Sequence, residues 1–69
     1  MPAKPREPWR VILTQRGVQL AEVAHPSETK AFAHVRAALK TGADTAKVMH
    51  WEDGQWRHRE TLHARDVQP

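Results

Sequence analysis

Histidine offers the widest chemistry of any residue in this sequence, and the chain contains five of them. A zinc site needs three or four ligands that converge at about 2 Å from the ion. His50 and His58 flank a predicted hairpin; a two-residue turn puts them on opposite faces, and a three-residue turn puts them on the same face. His58 and His63 differ by an odd number and point apart on a regular strand. The other two histidines are His25 and His34, and no two histidines share the i, i+4 spacing on the predicted helix. We predict no metal site and no cofactor.

Catalytic motifs are missing from the sequence. Cys is absent, which excludes disulfides, a thiolate nucleophile and a Cys-based zinc site. The chain has no glycine-rich phosphate loop, no nucleophile elbow and no HExxH motif. Ser27 is better explained as a helix cap than as a nucleophile. One helix on a small sheet rarely encloses the roughly 300 Å³ of a ligand site. The sequence therefore predicts a protein that is not an enzyme and has no small-molecule substrate.

Aromatic and basic residues are concentrated in one predicted hairpin in the second half of the chain. Trp51, Trp56, Arg57 and Arg59 belong to this hairpin, and Arg10 can extend the set. We predict that these five side chains form a binding surface on the sheet face away from the helix. Aromatic rings can stack on bases and arginines can hold phosphates, so nucleic acid is one class of partner.

Acidic residues in the same hairpin count against nucleic acid, because Glu52, Asp53 and Glu60 repel phosphate. Trp and Arg are also among the residue types enriched at protein interfaces. We therefore predict a binding module whose first partner is a protein. That partner is either a second copy of the chain or a larger assembly on which the chain acts as a regulatory or inhibitory accessory protein. A nucleic-acid-binding β-ribbon is the alternative.

The positive charge is spread along the chain. The net charge is +3 and the sequence pI is about 10.0. Residues 1–25 and 26–42 each carry a net charge of +2, and residues 43–69, which hold two of the three Trp, carry −1. A DNA-binding domain usually concentrates its charge on one face or stripe. Charge sign alone is therefore weak support for nucleic-acid binding.

The sequence shows neither a membrane-spanning segment nor a secretion signal. No apolar run approaches the roughly 20 residues of a membrane helix, and the N-terminus lacks the apolar core of a signal peptide. The absence of Cys mildly favours a cytoplasmic setting. We predict a cytoplasmic protein with no membrane partner.

One helix, from Ser27 to Thr41, must position these residues. Ser27 is a good N-cap residue, and Gly42 fits the positive-φ residue that ends many helices. Phe32, Val35 and Leu39 recur at spacings of three and four, so they form one apolar stripe. The spacing predicts an amphipathic helix that lays this stripe on a sheet.

A hairpin is predicted on the N-terminal side of the helix. Residues 9–13 form the first strand, and residues 18–24 the second. A two-residue turn at Arg16-Gly17 sets Leu13 opposite Leu20. A three-residue turn sets Ile12 opposite Leu20 and pairs Arg10 with Glu22; the three-residue turn thereby matches opposite charges. Both faces of this hairpin carry apolar residues, and the surplus predicts a second buried surface, such as that of a homodimer.

A second hairpin is predicted after the helix. Residues 45–51 and 55–63 form its strands, and Asp53-Gly54 is a strong turn signal. A two-residue turn sets Trp51 opposite Trp56 and Lys47 opposite Glu60.

The predicted fold class is α+β, with the order ββαββ and one four-stranded, mostly antiparallel sheet under a single helix. Sheet orders 2-1-3-4 and 2-1-4-3 both fit this order of elements, and the polar fourth strand favours an edge position and hence 2-1-3-4. Residues 9–63 form the single domain. Residues 1–8 are predicted to be a flexible N-terminal arm, and residues 64–69 a polar C-terminal tail. The sequence identifies neither the partner nor the oligomeric state.

Overall fold

Two β-hairpins with a helix between them make up the fold of residues 6–67, which the computed structural model of the chain describes. The elements in chain order are β1 (Trp9–Gln15), β2 (Val18–His25), α1 (Glu28–Lys40), β3 (Thr45–Glu52), β4 (Gln55–His63) and a short α2 (Ala64–Val67). The four strands form one antiparallel sheet in the order β2-β1-β3-β4. The predicted ββαββ fold and the preferred sheet order are confirmed.

Local signals set the ends of α1 where the sequence predicts them. The Ser27 hydroxyl accepts a hydrogen bond from the Lys30 amide at 3.2 Å, which satisfies one of the free N–H groups of the first turn. At the other end, the Thr41 amide donates to the Ala38 carbonyl at 3.1 Å, and Gly42 adopts a φ of +136°. A positive φ suits glycine because it has no Cβ, so the chain turns away from the helix at this point.

The core lies between α1 and the two central strands. The side chains of β1 alternate, so that Trp9, Val11 and Leu13 point toward the helix. Val35 and Leu39 of the predicted stripe are fully buried, and Phe32 packs on the core while half-buried. The hydrophobic core consists of nine buried residues: Trp9, Val11, Leu13, Ala31, Val35, Leu39, Ala43, Ala46 and Val48. Three of these nine are alanines, so the apolar volume of the core is small.

Both hairpins close with two-residue turns whose central residues have positive φ. The values are 52° and 79° at Arg16 and Gly17, and 51° and 78° at Asp53 and Gly54. These angles define type I′ turns, whose twist matches that of the flanking strands. The Arg16 amide donates to Asp44 Oδ2 at 2.7 Å, which holds the first turn against the loop after α1.

The predicted two-residue turn at Arg16-Gly17 forms, and the alternative three-residue turn is wrong. A β-bulge then changes the register beyond Thr14, so the predicted pairing of Leu13 with Leu20 is also wrong. Leu13 lies opposite Ala21, and Leu20 is the extra residue of β2. Arg10 therefore faces Ala24, with Glu22 diagonal to it. The predicted ion pair with Glu22 forms nonetheless, because a long Arg side chain reaches a diagonal neighbour.

The second hairpin also contains a bulge. Trp51 lies opposite Trp56, as predicted, but Arg59 is an extra residue of β4 between the partners of Val48 and Met49. Lys47 consequently faces Thr61, and the predicted Lys47–Glu60 pair is wrong.

The segments outside the predicted domain differ in part from expectation. Pro8, the last residue of the predicted arm, is buried, and its carbonyl accepts a hydrogen bond from the Trp51 amide at 2.8 Å. Residues 1–5 of the arm and 68–69 of the tail lie outside the described residues. The rest of the tail includes α2, which the Ala64 amide ties to the Asp44 carbonyl at 2.9 Å.

Replacing Leu39 with Asp should unfold the domain, because Leu39 is 1 % exposed and an unpaired carboxylate there would lose its hydration. Ala33→Asp is the matched control, since Ala33 is exposed on the same helix. We expect a cooperative thermal transition, followed by circular dichroism, for Ala33→Asp and none for Leu39→Asp. The milder Leu39→Ala should lower the free energy of unfolding by about 2–5 kcal/mol. A folded Leu39→Asp domain would contradict the assignment of the buried helix face.

Candidate protein-interaction surface

The sheet face opposite α1, called the outer face here, is covered by none of the described residues. Since Trp9, Val11 and Leu13 point toward α1, Arg10 and Ile12 between them point away. Residues paired across an antiparallel ladder share a face. The pairing therefore assigns to the outer face a group of half-buried side chains that we call the outer patch: Arg10, Ile12, Met49, Trp51 and Trp56.

The two tryptophans of the outer patch pack on each other across the second hairpin. The ring centroids of Trp51 and Trp56 are 5.4 Å apart, and the ring planes meet at 75°. This edge-to-face arrangement is one of the favoured geometries for aromatic pairs.

The Arg10 side chain lies across the sheet rather than projecting into solvent. Its Cζ atom is 4.2 Å from the centroid of the Trp56 ring, and its Nη1 atom is 3.6 Å from Glu22 Oε1. Glu22, Arg10, Trp56 and Trp51 belong to four different strands, so their contacts cross the whole sheet. The ion pair is solvent-exposed and adds little stability. The same guanidinium thus contacts Glu22 on one side and lies over the Trp56 ring on the other.

Two of the five predicted site residues lie on the other side of the sheet. Arg57 pairs with His50, and the His50 ring stacks on buried Trp9 at 4.1 Å. The Arg59 guanidinium lies 5.8 Å from the centroid of the same Trp9 ring. The prediction that Arg57 and Arg59 share a face with Trp56 is therefore wrong. Side chains alternate along a strand, and Arg57 is the direct neighbour of Trp56.

Two carboxylates that were expected to repel phosphate also face the helix side. Glu52 Oε1 is 3.3 Å from His50 Nδ1, and Glu60 pairs with the buried Val48. By the same register, Lys47 lies on the outer face beside the outer patch. Apart from histidines, the described charges on the outer face are Arg10, Lys47 and Glu22, so its formal charge is low.

The Trp9 ring is the centre of a second aromatic cluster at the edge of the core. Phe32 meets it edge-on at 6.5 Å, and His50 and Arg59 cover other parts of it. The Nδ1 atom of His50 is buried and makes no hydrogen bond. Its contact with Glu52 has the distance of an ion pair without the geometry of a hydrogen bond.

His25 and His34 join the end of β2 to α1, a contact that the sequence analysis misses. His25 Nε2 and His34 Nδ1 are 2.8 Å apart and share a hydrogen bond, so at least one of the two rings is neutral. Burial lowers the pKa of His25 below its ordinary value of 6.5, and the nearby His34 and Lys30 lower it further, while Glu7 acts in the opposite direction. His25 is therefore favoured in its neutral form by the fold.

Residues 6–67 enclose no cavity. Among the described side chains, no three of the types His, Cys, Asp and Glu converge as metal ligands would. The described helices are too short and too polar to cross a membrane.

Comparison with known proteins identifies no relative. No family model matches the chain, and the searches of curated proteins and of solved structures return no significant match.

The contact between Arg10 and Trp56 should appear as a coupling energy in a double-mutant cycle. Arg10→Gln and Trp56→Leu, alone and combined, should show a coupling of about 0.5–1 kcal/mol in the free energy of unfolding, measured by urea denaturation. The cycle of Arg16→Gln with Trp56→Leu is the control, because Arg16 lies in the turn after β1. Coupling that is zero in the first cycle, or equal in both, would refute the contact.

The free energy of unfolding should decrease as the pH is lowered through the range in which His25 titrates. The unfolded chain binds this proton near the ordinary pKa of 6.5, and the folded chain binds it only at lower pH. The favourable contribution is therefore complete above pH 6.5 and is lost as the pH falls from there through the lower folded pKa. We expect His25→Gln to flatten the decline in unfolding free energy between about pH 7.5 and about pH 5.5. Identical pH profiles for His25→Gln and the wild type would contradict this account.

Proposed function

We propose that this chain is a non-enzymatic module that binds another protein through the outer patch. The observation that carries the proposal is the group of large, half-buried apolar side chains on the outer face, Ile12, Met49, Trp51 and Trp56, over which no element of residues 6–67 packs. An outer face that only met water would need no such group, since antiparallel sheets with one solvated face usually alternate apolar and polar residues. The cytoplasmic setting stays a prediction.

The composition of the outer patch suits a protein partner. Trp, Met and Arg are enriched at the centres of protein interfaces, and tryptophan and arginine are the most frequent hot-spot residues. The Trp51–Trp56 packing and the contact of Arg10 with Trp56 immobilise these side chains in the unbound chain. Less conformational entropy is then lost on binding, because the rings and the guanidinium are already ordered.

The arrangement of charge supports a protein over a nucleic acid as the partner of the outer patch. Arg57 and Arg59 lie on the helix side, away from the outer patch. Arg10 remains, but Glu22 partly neutralises it and its guanidinium occupies one face of the Trp56 ring. A base stacking on that ring face would first have to displace Arg10. Two observations favour nucleic acid: Lys47 lies beside the outer patch, and Glu52 and Glu60 do not face it.

A charge placed in the outer patch should abolish partner binding. We would immobilise the wild type, Met49→Glu and the control Arg36→Glu, and quantify by mass spectrometry what each retains from a lysate of the source organism. Arg36 is exposed on α1. We expect Met49→Glu to retain at least about 30-fold less of a specific protein that the wild type and Arg36→Glu retain equally, as for loss of a hot-spot contact of about 2 kcal/mol.

Two outcomes would contradict the proposal. One is that all three chains retain the same proteins while circular dichroism shows each to be folded. The other is that labelled single-stranded oligonucleotides bind the wild type tightly near physiological salt and that this binding weakens steeply as salt rises. The second outcome would identify nucleic acid, rather than protein, as the partner.

A further inference from the structure

The exposed large apolar side chains of the described residues all belong to a single strand, β2. Val18 is 63 % exposed, Leu20 52 % and Val23 37 %. Single exposed apolar residues are common on proteins and need no explanation. Three within six residues of an edge strand are different, because among residues 6–67 no strand pairs with the backbone N–H and C=O groups along the outer side of β2.

The two edges of the sheet differ in their protection against pairing with another strand. The opposite edge, β4, carries the run Arg57, His58, Arg59 and Glu60, which is exposed throughout and contains a bulge. Charged residues of this kind discourage edge-to-edge association. β2 contains no Lys, Arg or Pro, and its one carboxylate, Glu22, is ion-paired with Arg10 of its own sheet.

We propose that β2 pairs with β2 of a second copy of this chain in antiparallel orientation, which creates a dimer with a continuous eight-stranded sheet. The sequence of β2 is complementary to itself in this orientation. A two-fold axis between Leu20 and Ala21 sets Val18 opposite Val23 of the second copy and Gln19 opposite its Glu22. This register matches apolar with apolar and opposes no like charges. The bulge at Leu20 lies at the axis, so the ladder forms over the two flanking segments.

The affinity of this dimer is limited by the size of the contact. An eight-residue strand is about 27 Å long, and one added strand pair buries less than the roughly 1,200 Å² of a standard interface. We therefore expect a reversible dimer with a Kd in the micromolar range, on the order of 1–100 μM.

The symmetry of the pairing has a consequence for the outer patch. Antiparallel pairing of two identical edge strands requires a two-fold axis perpendicular to the sheet, so both outer faces lie on the same side of the dimer. The two β3 strands are then five strand spacings apart, about 24 Å. The dimer offers two copies of the outer patch to one partner, which raises avidity. This use of the dimer rests on the proposed function, whereas the dimer itself does not.

Sedimentation velocity of the wild type between about 10 μM and about 500 μM tests the proposal. We expect a concentration-dependent shift from monomer to dimer. Leu20→Lys and Val18→Lys should each raise the Kd at least about tenfold. Leu20→Lys places two lysines near each other across the two-fold axis, and Val18→Lys places a charge opposite Val23 in the new ladder. Both positions are exposed, so the fold should survive, which circular dichroism checks. Met49→Glu, in the outer patch, should leave the Kd unchanged.

The other outcomes overturn the proposal, each in a distinguishable way. A wild type that stays monomeric throughout this range has no such edge contact. A dimer that Met49→Glu disrupts and Leu20→Lys does not is formed by the outer patch. Growth beyond the dimer indicates pairing that does not close on itself. If either lysine variant fails to fold, hydrogen exchange of the wild type decides: protection of β2 amides should rise with protein concentration, and protection that is independent of concentration refutes the edge dimer.

Discussion

The burial of α1 on the two central strands is the interaction on which the rest of the structure depends. The largest fully buried side chains are Val11 of β1, Val35 and Leu39 of α1, and Val48 of β3. Each contributes about 1.5–3 kcal/mol when removed from water. Since β1 belongs to the first hairpin and β3 to the second, α1 packs across the β1–β3 ladder that joins the two hairpins into one sheet. Without this ladder and the helix that covers it, two hairpins would remain, which are marginal in water on their own.

This arrangement explains why one face of the sheet forms the core and the other face does not. One helix covers one face of the sheet. The core between them has nine residues, and three of these are alanines. A core of this size supplies little net stability, so small domains often gain more from a partner or from self-association. The outer patch and the free edge of β2 are the apolar surfaces left over by this core. The proposed protein partner and the proposed dimer would each cover one of them.

The sequence predicted the features that depend on local signals. Ser27 and Gly42 mark the ends of the helix, Arg16-Gly17 and Asp53-Gly54 mark the turns, and the polarity of β4 favours its edge position. The faces of Arg57 and Arg59 could also have been predicted, because alternation along a strand separates Arg57 from Trp56.

Other features have no local signal. A bulge inserts one residue without a distinctive sequence, so the extra residues Leu20 and Arg59 could not be identified in advance. The contact of Arg10 with Trp56 reaches past an intervening strand, and the bond between His25 and His34 joins a strand to a helix. Both depend on the assembled tertiary structure.

Site-specific photo-crosslinking in cells of the source organism tests most directly the claim that the outer face binds protein. A photoreactive residue would replace Lys47, beside the outer patch, or Ala33, on the exposed side of α1. The account predicts a discrete protein adduct from position 47 and none from position 33. Adducts of equal yield from both positions, an adduct from position 33 alone, or an adduct with nucleic acid at position 47 would contradict it.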